Sequence, residues 1–213
     1  EALADAREAR AELEGARPAL KAAHAQAVGQ LCASLAQRLR PKLDLIGGTP
    51  YDLGGEGSGG EALGDAPSPF VGAFCEALDA QMGALRPVLS EGNVDAVAAG
   101  VARACAERVE GALMQKRFTQ LGALQLDRDV RALVAHLASA SANSLARPAF
   151  ARVSQACVLL CLSSEAEVHD YWAPAQGEGA PGGIRWKLSA AQVRRVLALR
   201  ADFRQEAIDA LRL

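Results

Sequence analysis

Strand-forming residues are scarce in this 213-residue sequence. Isoleucine occurs three times and threonine twice, and aromatic residues make up only 4% of the chain. β-Branched and aromatic side chains favour strands, so a sequence with so few of them gives little support for a sheet. Alanine, leucine and arginine dominate instead, and these residues favour helices. No segment alternates convincingly between polar and apolar residues, and we therefore predict an all-α chain.

Long apolar runs and a disulfide framework are also lacking. The longest uncharged apolar run, Val153 to Ser164, is far shorter than the roughly 20 residues that a membrane-spanning helix needs, and no leader-like segment precedes the first helix. The five cysteines are odd in number and fall in helix-like stretches without framework spacing. This pattern is typical of reduced, buried thiols. We therefore expect a cytosolic protein.

Apolar residues at helical spacing predict the main helices. Residues 1 to 45 carry a stripe at three- and four-residue intervals, and Pro18 is compatible with a second helix start there. Ser68 and Pro69 are an N-cap and a first-turn proline for a helix whose apolar stripe is Phe70, Phe74, Leu78 and Met82. The next predicted stripe comprises Val94, Val97, Val101, Cys105, Val109 and Leu113.

Further helices are predicted towards the C-terminus. Asp127 can cap a helix whose inner face is Val130, Leu133, Val134, Leu137 and Leu145. The apolar segment 150–162 is typical of a helix surrounded by neighbours. Two capping boxes follow, Ser164 with Glu167 and Ser189 with Gln192, on either side of a glycine-rich loop at 177–183. A last helical pair, interrupted near residues 201–202, completes the chain.

A glycine-rich, acidic loop at residues 47–68 separates two helical blocks. Its residues 55–60 formally match the glycine fingerprint of dinucleotide sites. However, no strand precedes this stretch, and the acids Glu56, Glu61 and Asp65 would repel a phosphate. We interpret the loop as a linker, which leaves a nucleotide-binding enzyme as the alternative of last resort.

Residues that could carry chemistry are isolated in the sequence. Cys157 and Cys161 lie one helical turn apart, but a structural zinc site needs four ligands and no second cluster exists. His24, His136 and His169 each lack a partner that would indicate a nucleophile and its base. We therefore expect no catalytic residue, no cofactor and no metal, and we expect no nucleic-acid partner.

Two features could serve binding. Trp172 and Trp186 flank the second glycine-rich loop, and they either form a hydrophobic plug beneath it or present an exposed anchor to a partner. Residues 185–213 hold seven basic residues against three acids, a balance that suits either a solvated surface or an acidic partner or lipid headgroup. The sequence leaves both alternatives open.

Several segments resemble one known family. They are KRFTQLGALQLDRDVRAL (116–133), FARVSQ (150–155), VHDYW (168–172), IRWKLSAAQVRRVLALRADFR (184–204) and the terminal LRL, with SPFVGAFCEALDAQM (68–82) before them. In this order they resemble the C-terminal part of the fourth subunit of the conserved oligomeric Golgi (COG) complex. The resemblance is strongest over residues 114–213.

The resemblance implies a vesicle-tethering factor that acts without catalysis in intra-Golgi retrograde transport. It implies two small helical bundles packed end to end, which we place at residues 1–124 and 125–213. Its implied partners are other subunits of the same complex, and membrane-fusion proteins through an N-terminal part outside this chain. The implied location is the cytosol and the cytoplasmic face of the Golgi membrane, with peripheral membrane association. A helical adaptor unrelated to tethering is the main alternative.

The resemblance also implies a structural role for one arginine. Arg152 matches a family arginine that we expect to tie its helix to the final helices through an acid. Gln192 stands at the matching position here, so we expect Arg152 to pair with Asp202 or Glu206, in a buried ion pair. The other candidate interaction residues in this region are Trp172, Trp186, Arg200, Phe203 and Arg204.

Overall fold

The computed structural model describes residues 2–53, 66–142, 145–175 and 186–213. Across these ranges the chain is helical, with no sheet and one isolated backbone bridge between Phe118 and Arg200. The prediction of an all-α chain is confirmed. In chain order the α-helices are α1 (Ala2–Asp44), α2 (Pro69–Leu85), α3 (Glu91–Leu113), α4 (Gln120–Ser139), α5 (Ala146–Ala149), α6 (Ala151–Leu160), α7 (Val168–Ala175), α8 (Ala190–Leu197) and α9 (Gln205–Asp209). Short 3₁₀ segments occupy Leu45–Gly48 and Glu165–Glu167.

Helix α1 is a single long helix with two different halves. It continues through Pro18, so no second helix starts there. Interior proline removes a backbone hydrogen bond and typically costs about 3 kcal/mol, which packing elsewhere must offset. The second half is packed, since Leu35, Leu39 and Leu43 are buried in the core. The predicted helix is confirmed, whereas only the second half of its apolar stripe is buried.

The second half of α1 lies beside α3, and the two helices run in the same direction. The Cys32 thiol faces the Val97 carbonyl at 3.7 Å, and further along Asp44 pairs with Arg108 at 2.5 Å. Gly100 permits this close approach, because a Cβ at that position would overlap the Cys32 side chain. The predicted stripe of α3 faces inward. Its buried members are Val97, Val101, Cys105, Val109 and Leu113.

Helix α2 begins where the sequence predicts, although the cap works differently. Ser68 is the N-cap and Pro69 the first helical residue. The Ser68 side chain makes no capping bond within α2; its hydroxyl donates instead to Asp129 of α4. The predicted stripe is buried in full: Phe70, Phe74, Leu78 and Met82.

Helix α4 begins eight residues, about two turns, earlier than predicted. Thr119 is its N-cap, and the Thr119 hydroxyl accepts from the Gly122 N–H at 3.2 Å. Asp127 is therefore inside the helix, where it pairs with Arg131 at 2.7 Å. Leu145 lies beyond the end of α4 and is exposed, so its assignment to the inner face is wrong.

The C-terminal region follows the prediction with one exception. Helix α6 is buried on most of its surface, and α8 and α9 form the last pair. The Ser189–Gln192 capping box is present at the start of α8. At Ser164 no side-chain capping bond forms; its hydroxyl donates to the Glu167 carboxylate at 3.5 Å, and that carboxylate accepts from the Ser163 N–H at 3.0 Å.

Buried apolar side chains from α1 through α9 form one continuous cluster in the described part of the chain. Residue 124 lies within α4, and the division into two bundles at this position stays a prediction. The glycine fingerprint at residues 55–60 and the loop at 177–183 lie outside the described residues.

Candidate interaction and anchoring sites

A buried carboxylate on α4 holds both ends of the acidic loop. Asp129 is 1% exposed. Its Oδ2 accepts from the hydroxyls of Tyr51 and Ser68, each at 2.7 Å. Its Oδ1 accepts from the Ser68 N–H at 2.7 Å and from the Gln125 side-chain amide at 3.0 Å. One side chain of α4 therefore joins the segment after α1 to the segment before α2.

The segment around Tyr51 is fixed by further contacts. Burial, together with the Asp129 charge, raises the pKa of Tyr51, so its hydroxyl remains a donor. The Lys116 ammonium donates to the carbonyls of Gly47 and Thr49 at 2.9 and 2.7 Å. Gly122 packs directly under the Tyr51 carbonyl, where a Cβ would collide with it. The predicted loop at 47–68 is thus anchored at both ends.

No local pattern in the sequence predicts this anchor. Asp129 lies on the inner face of α4, between Leu126 and Val130, and three of its four hydrogen bonds come from residues 61 and 78 positions earlier in the chain. A carboxylate at an inward-facing helical position is the one available signal. Such a residue needs hydrogen-bonding partners, because burying it without them would be costly.

Arg152 on α6 joins α3 to the C-terminal segment, which comprises residues 186–213. Its guanidinium pairs with both oxygens of Glu110, with a shortest contact of 2.6 Å. It also donates to the Lys187 carbonyl at 3.0 Å and to the Gln192 side chain at 3.4 Å. These hydrogen bonds to Glu110 raise the pKa of Arg152.

The predicted partner of Arg152 is wrong. Asp202 pairs with Arg200 instead, and the acid that binds Arg152 is Glu110, which precedes it by 42 residues. The predicted full burial is also wrong, because the Arg152 and Glu110 side chains are 36% and 25% exposed. The contact with Gln192 keeps the predicted link to α8, as a hydrogen bond without a second charge.

Arg200 is the most deeply buried charge of the C-terminal segment. Its side chain is 1% exposed and pairs with both oxygens of Asp202 at 2.8 and 2.7 Å. It also donates to the carbonyls of Leu160 and Leu162, which have no helical partner at the end of α6. Phe203 stacks on the guanidinium, with its ring centre 4.2 Å away. The hydrogen bonds that Arg200 donates, together with its charge, lower the pKa of Asp202.

Backbone contacts join this segment to the start of α4. The Phe118 N–H donates to the Leu199 carbonyl at 2.9 Å, and the Ala201 N–H donates to the Phe118 carbonyl at 2.8 Å. The Arg204 N–H donates to the Glu165 carboxylate at 2.7 Å, while the Arg204 side chain is exposed. Arg200 and Phe203 thus make their contacts within the chain, and Arg204 makes its contact with Glu165 through its backbone.

The two tryptophans pack against each other. Trp172 is buried and Trp186 half-buried, and their rings meet edge to face with centres 5.5 Å apart. The indole N–H of Trp186 donates to the Tyr171 carbonyl at 3.1 Å. This geometry favours the plug over the exposed anchor. The exposed aromatic ring here is Tyr171, at 49%.

The cysteines and histidines have ordinary structural surroundings. All five thiols are free, and burial raises the pKa of Cys105 to about 12 and of Cys161 to about 11, which keeps them protonated. His24 contacts Asn93 at 2.7 Å and His136 contacts Asp79 at 2.9 Å. In the described ranges no three metal-binding side chains converge.

Among the described helices, the first half of α1 carries the large apolar side chains with the highest exposed fractions. Leu13 and Leu20 are 71% and 67% exposed. They share a surface groove with charged neighbours on the same helix, namely Arg10, Glu14, Arg17, Lys21 and His24. Among the helices described, none combines the length and apolar character needed to cross a membrane.

Comparison with known proteins agrees with the sequence resemblance. Residues 6–195 match the family described as Conserved oligomeric Golgi complex subunit 4, C-terminal. Conserved oligomeric Golgi complex subunit 4 of Arabidopsis thaliana is 36% identical over 184 residues, which cover 86% of this chain and 24% of that protein. The human protein of the same name is 36% identical over 149 residues, 70% of this chain and 18% of its own.

The Drosophila melanogaster protein of that name is 34% identical over 203 residues, 95% of this chain and 25% of its own length. The chain thus spans about a quarter or less of the length of these relatives. The family match covers most of the chain, including the segments around Arg152 and the two tryptophans. The chain belongs to the family of the C-terminal region of conserved oligomeric Golgi complex subunit 4.

Proposed function

We propose that this chain is a non-enzymatic scaffold and protein-interaction module of a Golgi vesicle-tethering complex, acting in intra-Golgi retrograde transport. The family match over residues 6–195 is the observation that carries this proposal. The relatives are named as subunits of an oligomeric Golgi complex. The partners of this chain are accordingly other subunits of such a complex.

The chemistry of the interior supports contact rather than turnover. Within the described ranges, every buried side-chain nitrogen or oxygen has a hydrogen-bond partner. The most buried charges, Asp129 and Arg200, bind groups of the chain itself. Such saturation positions helices, whereas a catalytic carboxylate or guanidinium must face its substrate.

The location and the remaining partners belong to the same proposal. We place the chain at the cytoplasmic face of the Golgi, in peripheral association with the membrane. Membrane-fusion proteins would contact the part of the full protein outside this chain. Of the seven basic residues in 185–213, Arg200 is buried and paired within the chain and so does not contribute to membrane contact.

The anchoring residues are part of the proposal as well. We assign Arg152, Gln192, Arg200 and Phe203 to holding the final helices against the rest of the chain. The two-bundle division, near residue 124, would appear in native-state hydrogen exchange as two groups of amides with distinct opening free energies. A single opening free energy throughout would argue against it.

Affinity purification tests the proposed function. The tagged chain, incubated with cell extract, is expected to recover subunits of the Golgi tethering complex, identified by mass spectrometry. Recovery of an unrelated set of proteins would favour the general adaptor. Deletion of residues 54–60 addresses the nucleotide-binding alternative: unchanged folding and unchanged recovery would eliminate it.

A further inference from the structure

The exposed half of α1 continues an interface that the packed half already uses. Leu13, Leu20 and Ala27 repeat every seven residues, and Leu31, one turn later, packs against the core. The contact between His24 and Asn93 lies beside the start of α3. Residues 10 to 24 extend the helix by about 21 Å, at 1.5 Å per residue. The apolar stripe therefore runs from the core onto an uncovered helix surface.

This half of α1 has little stabilisation of its own. Isolated helices of comparable length are marginal in water, and Pro18 removes one of the internal hydrogen bonds. Among the described side chains before Val28 none is buried, so tertiary packing within the chain does not compensate. A helix with these properties is typical of an element completed by a partner.

The charges beside the stripe define the partner's chemistry. Arg10, Arg17 and His24 repeat every seven residues and form one edge of the groove that contains Leu13 and Leu20. Among the described side chains that line the groove, Lys21 adds a third permanent cation, against one carboxylate, that of Glu14, which Arg10 binds at 3.0 Å. In paired helices the residues that flank an apolar seam meet the flanking residues of the partner. A basic edge therefore selects an acidic one.

A second copy of this chain does not supply that edge. In an antiparallel pair of identical helices, the row Arg10, Arg17 and His24 would face itself. In a parallel pair it would face the opposite edge, beyond the seam alanines Ala16 and Ala23, where the sequence has Glu12, Ala19 and Gln26. Neither arrangement gives this row a matching row of carboxylates, because the opposite edge has one acid in three positions, and like charges across a helix pair are unfavourable.

We propose that the exposed half of α1 binds an amphipathic helix of another subunit of the tethering complex, with leucines at seven-residue spacing and a row of Asp or Glu beside them. This inference rests on the proposed function, which supplies the other subunits. The binding mode places an apolar helix face on the Leu13–Leu20 stripe, with its acidic edge against Arg17 and Lys21. Alanines on the other flank allow the two backbones to approach closely.

The first experiment compares subunit recovery by matched variants. The double variant Leu13→Glu, Leu20→Glu introduces negative charge on the stripe. The control Val88→Glu makes the same apolar-to-glutamate change at an exposed residue outside α1. We expect the double variant to recover at least one tethering subunit at least tenfold less than wild type, and Val88→Glu to match wild type. Circular dichroism and thermal melting verify that the packed core is unchanged.

The second experiment identifies what lies on the helix. A photo-crosslinking amino acid at position 16 is expected to link to a sister-subunit peptide with the leucine spacing and acidic edge described above. Cross-linking to a second copy of this chain, or to a peptide without that pattern, would overturn the inference. So would equal recovery by wild type and the double variant, which would leave the proposed function intact. Failure of wild type to recover any tethering subunit would instead refute the proposed function.

Discussion

Asp129 and Arg152 are both polar anchors between distant segments, but they differ in burial. Asp129 is almost fully buried and accepts four hydrogen bonds, all from neutral donors. Arg152 pairs with Glu110 at the protein surface, where water also reaches both groups. Removing a buried acceptor leaves its donors unsatisfied, whereas water replaces a partner at the surface. We therefore expect the Asp129 anchor to contribute more to the free energy of unfolding than the Arg152 anchor, although both make several hydrogen bonds.

The substitution Asp129→Ala should have the largest effect. It leaves the Tyr51 hydroxyl, the Ser68 hydroxyl and the Ser68 N–H without the acceptor they use, and each buried unsatisfied group costs about 1–3 kcal/mol. We expect a loss of at least about 3 kcal/mol in the free energy of unfolding, measured by urea denaturation.

Asp127→Ala is the matched control for Asp129→Ala, because it removes a half-buried carboxylate of the same helix whose i,i+4 partner, Arg131, is 79% exposed. It should cost no more than about 0.5 kcal/mol. Equal effects of the two substitutions would show that burial does not distinguish these carboxylates.

Gly122→Ala tests the same anchor through its backbone. A Cβ at residue 122 would collide with the Tyr51 carbonyl, which is held in place by its own hydrogen bond from Thr119. We expect a destabilisation of about 1–3 kcal/mol from the resulting strain. Gly111→Ala in α3 is the control, because its Cβ meets nothing within 4 Å. It should be neutral or stabilise by up to about 1 kcal/mol. Thermal melting that shows equal loss for both would contradict the close approach.

Arg152→Ala should be milder than either change at the Asp129 anchor. The pair with Glu110 is charged and bidentate, but its partial exposure lets water compensate, so we expect a loss of about 1–2 kcal/mol. A double-mutant cycle with Glu110→Ala isolates the coupling between the two side chains. A coupling energy near zero would mean that the Lys187 and Gln192 contacts, rather than the ion pair, matter.

Gln192→Glu tests the Arg152 anchor by adding a charge near it instead of removing one. A glutamate at position 192 can still accept from the Ser189 N–H, and it adds a negative charge within reach of Arg152. We expect a gain of about 0.5 kcal/mol at low salt, which decreases as salt is added. A loss of stability would indicate that Glu110 already saturates the guanidinium.

The helices could be predicted from the sequence because their signals are local. Phe70 and Phe74 recur at helical spacing after a serine and a proline, and α2 forms where that pattern indicates. The predicted start of α4 is wrong because Asp127 and Thr119 are both acceptable N-cap residues by their sequence alone. Only the Thr119 hydroxyl is placed to accept from the third residue of the helix.

The anchors could not be predicted, because their partners are distant in the chain. Nothing near Arg152 indicates Glu110, and nothing near Asp129 indicates Tyr51. Exposure of the first half of α1 is likewise a tertiary property. Its leucine spacing resembles that of the packed half, and the positions of α2 and α3 determine which leucines are covered.

The smallest expected effect concerns Glu165, whose carboxylate accepts from the Arg204 N–H at 2.7 Å and so helps to position α9. This backbone hydrogen bond lowers the pKa of Glu165 below its ordinary value of 4.5. A folded-state pKa below the unfolded one means that the stabilisation is complete above pH 4.5 and is lost as the pH falls through the lower folded value.

The substitution Glu165→Gln keeps an acceptor but removes the titration, so it should flatten the acid limb of the stability curve slightly and leave neutral stability within about 0.5 kcal/mol. Urea denaturation between pH 3 and pH 7 measures this, with Glu107→Gln on the exposed surface of α3 as the control. Because the Glu165 carboxylate is largely solvated, its share of the acid response must be small. An acid limb identical to wild type would mean that the Arg204 N–H does not favour the ionised form, and that α9 is held by the buried Arg200 cluster alone.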